Sequence, residues 1–156
     1  LRKYFLGDNL SSASGRLIAF EAGIRIPFST ALIEEVLFRG VLLGLLLIHY
    51  PTLIALLYSS AIFGLWHIFP TIKTLEQNDA TARAVQTKKH RMYGGVVATV
   101  TITSVAGLLF GYLRILAGSI VAPWLLHWTI NASGVAGIYV AKKISQRSVV
   151  KEPQDE

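Results

Sequence analysis

The stretch from Phe28 to His49, FSTALIEEVLFRGVLLGLLLIH, sets the strongest limit on what this chain can become. A helix needs about 20 predominantly apolar residues to cross a hydrocarbon core, and this run supplies them while carrying Glu34, Glu35 and Arg39 inside it. One charge near the middle of a spanning helix costs roughly 2.5–3.5 kcal/mol on insertion scales, and three facing lipid would cost far more. These side chains must therefore face protein, water or one another, so the helix must belong to a bundle. The composition agrees. Only 15% of the 156 residues are charged and 53% are hydrophobic, against about 25% charged in an ordinary soluble domain. The absence of cysteine excludes disulfide staples, thiolate metal sites and a cysteine nucleophile.

The remaining chain divides by the same criteria into an all-α, polytopic membrane helix bundle of about four transmembrane helices. Residues 1–27 read as an amino-terminal juxtamembrane segment, with turn-forming Gly7-Asp8-Asn9 and Ser11 to Gly15, then a short interfacial helix over Leu17 to Ile26. Pro27 and Ser29 suit a helix start. The core over 28–141 holds spans at about 28–49, 52–69, 94–116 and 119–141, with a polar loop at 70–93. Pro51 breaks the chain after the first span, and Pro70 is expected to end the second. Pro123 falls near the start of the fourth, in its first turn or in a short re-entrant piece. Gly107, Gly111, Gly134 and Gly137 would allow close helix approach. Residues 142–156 read as a cytoplasmic tail.

Charge sets the expected orientation. The amino-terminal segment carries Arg2, Lys3, Arg16 and Arg25, the long loop five Lys or Arg, and the tail Lys142, Lys143, Arg147 and Lys151. With four spans these three segments fall on one side, the positive-inside pattern, so both ends are expected in the cytoplasm. That asymmetry accounts for the net charge of +6 without a nucleic-acid partner. The partners expected are the lipid bilayer and a membrane-associated peptide or protein.

Three groups of residues carry chemistry. Glu35 and Arg39 are four apart on one helix and share a face, so pairing offsets much of the cost of burying both. Glu34 points about 100° away and has no obvious local cation. A carboxylate left so in a low-dielectric site is suited to general base or acid work. The bland reading is that both acids merely bond neighbouring helices. In FGLWHIFP, Phe63 and His67 are one turn apart, and alone His67 reads equally well as an interfacial histidine. In HWTIN, His127 and Asn131 are also one turn apart, bringing an imidazole and an amide to a common point, as an oxyanion site requires. An interhelical polar clamp is the competing use. Trp66, Trp124 and Trp128 read as packing or interface anchors. Counted at 1.5 Å per residue, Glu34, His67, His127 and Asn131 fall in the cytoplasmic half of one cavity.

Glu34-Glu35-x-x-x-Arg39, Phe63-x-x-x-His67 and His127-x-x-x-Asn131, in that order and each in an apolar segment, resemble the three-motif signature of the CPBP group. That group, also called Abi, contains CAAX prenyl endopeptidases and bacteriocin-processing or self-immunity proteins. The resemblance covers Ser29 to Gly134. Its members usually carry further helices upstream, and this chain opens with LRKYF rather than Met, so a fragment of a longer bundle is expected. The resemblance implies a glutamate-dependent intramembrane endopeptidase without a cofactor. In it Glu34 activates water with help from His67, His127 and Asn131 stabilise the oxyanion, and Glu35 holds the site together, in part through Arg39. Phe63 serves as structural support. The small core and short tail point to a bacterial cell membrane.

Two other classes compete. His67, His127 and Glu34 could form a two-histidine, one-carboxylate zinc site, although no HExxH pair is present and Asn131 suits an oxyanion better than zinc. A non-catalytic membrane protein, either a peptide-binding immunity factor or a proton-coupled carrier, could use the same polar groups. A carrier would show inverted repeats or broken helix pairs, and the sequence has none.

Overall fold

The computed structural model describes residues 14–77 and 88–149. The expected turns before Ser14, the middle of the polar loop and the end of the tail lie outside the described residues. Helix α1 runs without a break from Gly15 to His49 as five consecutive segments, Gly15–Phe20, Glu21–Ala31, Leu32–Glu35, Val36–Leu42 and Leu43–His49. Its start is capped by Ser14, whose Oγ accepts from the Leu17 N–H at 3.3 Å. Glu21–Ala31 and Val36–Leu42 are π-wound and flank the single α-wound turn that holds Glu34 and Glu35.

The helix therefore does not begin at Pro27, as the local rule predicts, but passes through it. In α winding a proline removes the bond to the carbonyl four residues back and crowds it. The wider π turn, with i→i+5 bonds, relieves that crowding, and the Leu32 N–H closes on the Pro27 carbonyl. In this winding the donor to the Ala22 carbonyl would be residue 27, which has no N–H. The Trp128 indole takes that place, Nε1 to O at 2.6 Å. Trp124 likewise donates to the Pro27 carbonyl at 2.8 Å.

Helix α2 (Thr52–Trp66) follows the Pro51 break, and α3 (Ile68–Gln77) follows it after the single residue His67. Pro70 does not end the second run. It sits in the first turn of α3, where its missing N–H would have had no helical partner. The break falls at His67 instead, whose backbone (φ −83°, ψ −3°) lies in the sparsely allowed bridge region. Helix α4 (Lys88–Ala117) begins before the expected Gly94, so both edges of the polar loop are helical. A turn with Gly118 at φ +62° leads to α5 (Val121–Val149), which continues past Ala141. Pro123 occupies the first turn of α5, after Ser119 Oγ accepts from the Val121 N–H at 3.2 Å. No re-entrant piece forms there.

The fold is an all-α bundle. Its buried cluster is aromatic, Phe38, Phe63 and Phe110 from α1, α2 and α4, with Leu42, Ala106 and Leu126 against it. Helices α2 and α4 approach closely through glycine: a Cβ on Gly64 would meet Ser104 Oγ at 2.0 Å and the Val100 carbonyl at 2.8 Å, and one on Gly111 would meet Leu56 at 2.6 Å. Gly107 sits against Ser60 in the same seam. Gly134 and Gly137, expected to do the same, face open space.

Polarity is inverted relative to a soluble bundle. Glu35, Arg39, Ser59, Ser60 and His127 are buried, while Leu45, Leu53, Ile102 and Val105 are each more than half exposed. Thr52–Glu76, covering α2 and most of α3, and Met92–Ala117 in α4 are long and apolar enough to cross a membrane. Only 28% and 17% of their apolar windows are buried, unlike the core helix of a soluble protein. Two such helices with their apolar faces turned outward fit a bundle surrounded by lipid.

Candidate active site

The site forms where the α-wound turn of α1 meets His67, at the α2–α3 break, and His127 on α5. Glu35 is fully buried and its Oε1 accepts from Arg39 Nη1 at 3.0 Å. Arg39, 1% exposed, gives a further bond to the Gly107 carbonyl at 3.3 Å, and its guanidinium lies 4.1 Å from the Phe63 ring centre and 5.0 Å from that of Phe110. A buried charge needs both a counter-charge and donors or acceptors to be tolerated; this cage provides them at Arg39 Nη1 and Nη2 and Glu35 Oε1, and leaves Arg39 Nε and Glu35 Oε2 without a partner. Glu35 Oε1 also takes His127 Nδ1 at 2.8 Å. Glu35 is thus committed to two partners, one local and one from the far end of the sequence.

Glu34 is placed differently. Its Oε2, like that of Glu35, is buried with no hydrogen-bond partner, but here two imidazoles turn the same atom toward it: His127 Nε2 at 3.7 Å and His67 Nε2 at 4.0 Å. The tautomers follow from the other ring atoms. His67 Nδ1 lies 2.8 Å from the Phe63 carbonyl, which can only accept, and His127 Nδ1 lies against the Arg39-paired Glu35 carboxylate. Each Nδ1 therefore carries a proton, and each ring turns its Nε2 toward Glu34. Glu34 Oε2 and the two Nε2 atoms converge at separations too long for direct bonds. This geometry suits a water molecule, which has two protons to give.

Aromatic rings fix the imidazoles. Phe63 meets His67 edge-on at 4.7 Å and His127 at 6.0 Å, and Phe110 stacks on His127 at 5.0 Å and 22°. The structure thus brings together Glu34, Glu35, Arg39, Phe63, His67 and His127. Asn131 lies one turn beyond His127 on α5, half-buried, and is hydrogen-bonded to none of them. Sequence reasoning missed Phe110 and the Gly107 carbonyl. The signal for both was the helical spacing of Gly107, Phe110 and Gly111 on one face of α4. It also missed that Trp124 and Trp128 donate to specific α1 carbonyls.

Among the described residues, no group of three or more histidine, aspartate or glutamate side chains is arranged to hold a metal ion. The Nε2–Oε2 separations exceed the roughly 3.3 Å edge of a tetrahedron with zinc–ligand bonds of about 2.0–2.1 Å.

No curated protein and no solved structure matches the chain. One family model does, described as type II CAAX prenyl endopeptidase Rce1-like, over residues 17–133, a span that takes in every residue of the site. Because that match covers 117 of 156 residues, the chain belongs to the Rce1-like family of CAAX proteases, in line with its CPBP-type motifs.

Proposed function

We propose that this protein is an intramembrane endopeptidase that hydrolyses a peptide bond in a membrane-associated peptide or protein, with Glu34 as the general base and no metal. The observation that carries the reading is the orphaned Glu34 Oε2, flanked by the Nε2 atoms of His127 and His67, while Glu35 is tied through Oε1 to both Arg39 and His127. A water held between these atoms gives a proton to Glu34 as its oxygen attacks the scissile carbonyl. Glu34 then returns the proton to the leaving amine, so the catalyst is restored. His67 orients the water through Nε2. His127, taken as the imidazolium with its Nδ1–H held by Glu35, donates its Nε2–H to the oxyanion together with the Asn131 amide.

The family description favours a CAAX-type substrate, and processing of a bacteriocin-like peptide is the alternative within the same chemistry. The basic segments favour both ends in the cytoplasm and a site opening on that side of a bacterial cell membrane.

The test is cleavage of a farnesylated CAAX peptide and of an unprenylated membrane peptide library by purified protein in liposomes. Glu34→Ala should lower turnover by about 10²–10⁴-fold, the usual worth of a general base, and a chelator should leave the wild type active. Loss with chelator and rescue by zinc would replace this reading with a His67, His127 and Glu34 metallopeptidase. Peptide binding without cleavage by the wild type would replace it with a binding or immunity role.

A further inference from the structure

We propose that Phe110, which lies outside the three motifs, is a positioning residue: its ring fixes the plane of the His127 imidazole and hence where Nε2 points. The inference rests on the active-site reading given above. A single hydrogen bond from Nδ1 to Glu35 pins one atom of the ring and leaves the ring free to swing about that point through coupled changes in χ1 and χ2, the latter a soft and broad torsion for histidine. Such a swing would keep the Glu35 bond and carry Nε2 away from Glu34. The flat contact with Phe110, 5.0 Å between centres and 22° between planes, removes that freedom on one face. The Phe63 edge, at 89°, bounds the ring on another side.

The same Phe110 ring lies 5.0 Å from the Arg39 guanidinium. One side chain of α4 therefore sets both groups that share Glu35 Oε1, and the neighbouring turn of α4 supplies the Gly107 carbonyl to Arg39. The negative face of an aromatic ring also favours a cation above it, which suits an imidazolium that donates to an oxyanion. Phe110 is 2% exposed, so it is a core residue too. A test must separate packing from positioning.

Phe38 supplies the comparison. It is buried in the same cluster, and its ring meets Phe63 and Trp66 rather than an imidazole. The full chain in detergent micelles is examined as Phe110→Leu, Phe110→Tyr and Phe38→Leu. Thermal unfolding, kcat and KM are measured on whichever peptide the wild type cleaves, and the His127 side-chain nitrogen resonances are recorded. Positioning predicts that Phe110→Leu lowers kcat about 10-fold or more, the scale of a misplaced catalytic group, with KM unchanged. It also predicts that the His127 Nε2 signal broadens or splits into several conformers. Phe110→Tyr, which keeps the flat ring, should retain one sharp signal and recover most of kcat. Phe38→Leu should lose comparable thermal stability while keeping a single His127 signal. A single sharp His127 signal in Phe110→Leu, with kcat falling in both leucine variants only in step with Tm, would overturn the proposal. The resonances need no turnover. If Glu34→Ala still cleaves, the active-site reading fails while the resonances still judge Phe110.

Discussion

The contact between Trp128 and the Ala22 carbonyl allows the π winding of α1 to be tested with a double-mutant cycle. Residue 27 would be the backbone donor to that carbonyl in the π register, and as proline it has no N–H, so the indole at 2.6 Å stands in for it. Trp128→Phe keeps most of the ring and removes the donor. An unsatisfied carbonyl in a poorly hydrated setting costs about 1–3 kcal/mol, so Trp128→Phe should destabilise the bundle by about that amount. Pro27→Ala returns an N–H to residue 27. Whether the helix then stays π-wound or reverts to α winding, the Ala22 carbonyl gains a backbone partner. In the Pro27→Ala background Trp128→Phe should therefore cost less than about 0.5 kcal/mol, leaving a coupling energy of about 1 kcal/mol or more. The assay is reversible unfolding in mixed micelles, followed by helical circular dichroism for the four proteins of the cycle. Equal costs in the two backgrounds would refute the reasoning, because the indole would then be acting through packing alone.

Other perturbations follow from the same geometry. Arg39→Ala leaves Glu35 buried without its cation and should destabilise by about 3–5 kcal/mol; Arg39→Lys should recover only part, since an ammonium cannot reproduce the planar fork or its contact with Phe63, and both are read by unfolding in micelles. Gly64→Ala places a methyl against Ser104 and the Val100 carbonyl and should cost about 1–3 kcal/mol as an overpacked seam. Gly134→Ala meets nothing and should be neutral or stabilising by up to about 1 kcal/mol through helix propensity, so the difference between the two variants checks the α2–α4 approach.

Much of this was legible in the sequence because a membrane makes charge placement unforgiving. Apolar runs holding Glu34, Glu35, Arg39, His67 and His127 force those residues inward, and a helix repeat alone pairs Glu35 with Arg39. The small residues of α4 likewise announced a close seam at Gly107 and Gly111. The failures were local rules applied where tertiary partners overrode them. Pro27 was read as a helix start and Pro70 as a stop. One is accommodated by π winding and a tryptophan from a helix about a hundred residues away, the other by the orphan positions of a helix's first turn. Gly134 and Gly137 looked like contact glycines only because spacing on a helix says nothing about which face has a neighbour.

What the sequence determined, then, was the all-α membrane bundle and the set of polar residues that had to meet inside it, since no other arrangement satisfies buried charge. Tertiary structure alone decided what each carboxylate meets beyond its own helix. His127 closes on Glu35 across 92 residues of chain, and that one bond keeps a proton on its Nδ1 and turns its Nε2 toward Glu34. Hydrogen bonds between helices depend on rotation and register that no single-helix periodicity encodes, so the different surroundings of two adjacent glutamates became visible only once α1, α2 and α5 were packed together.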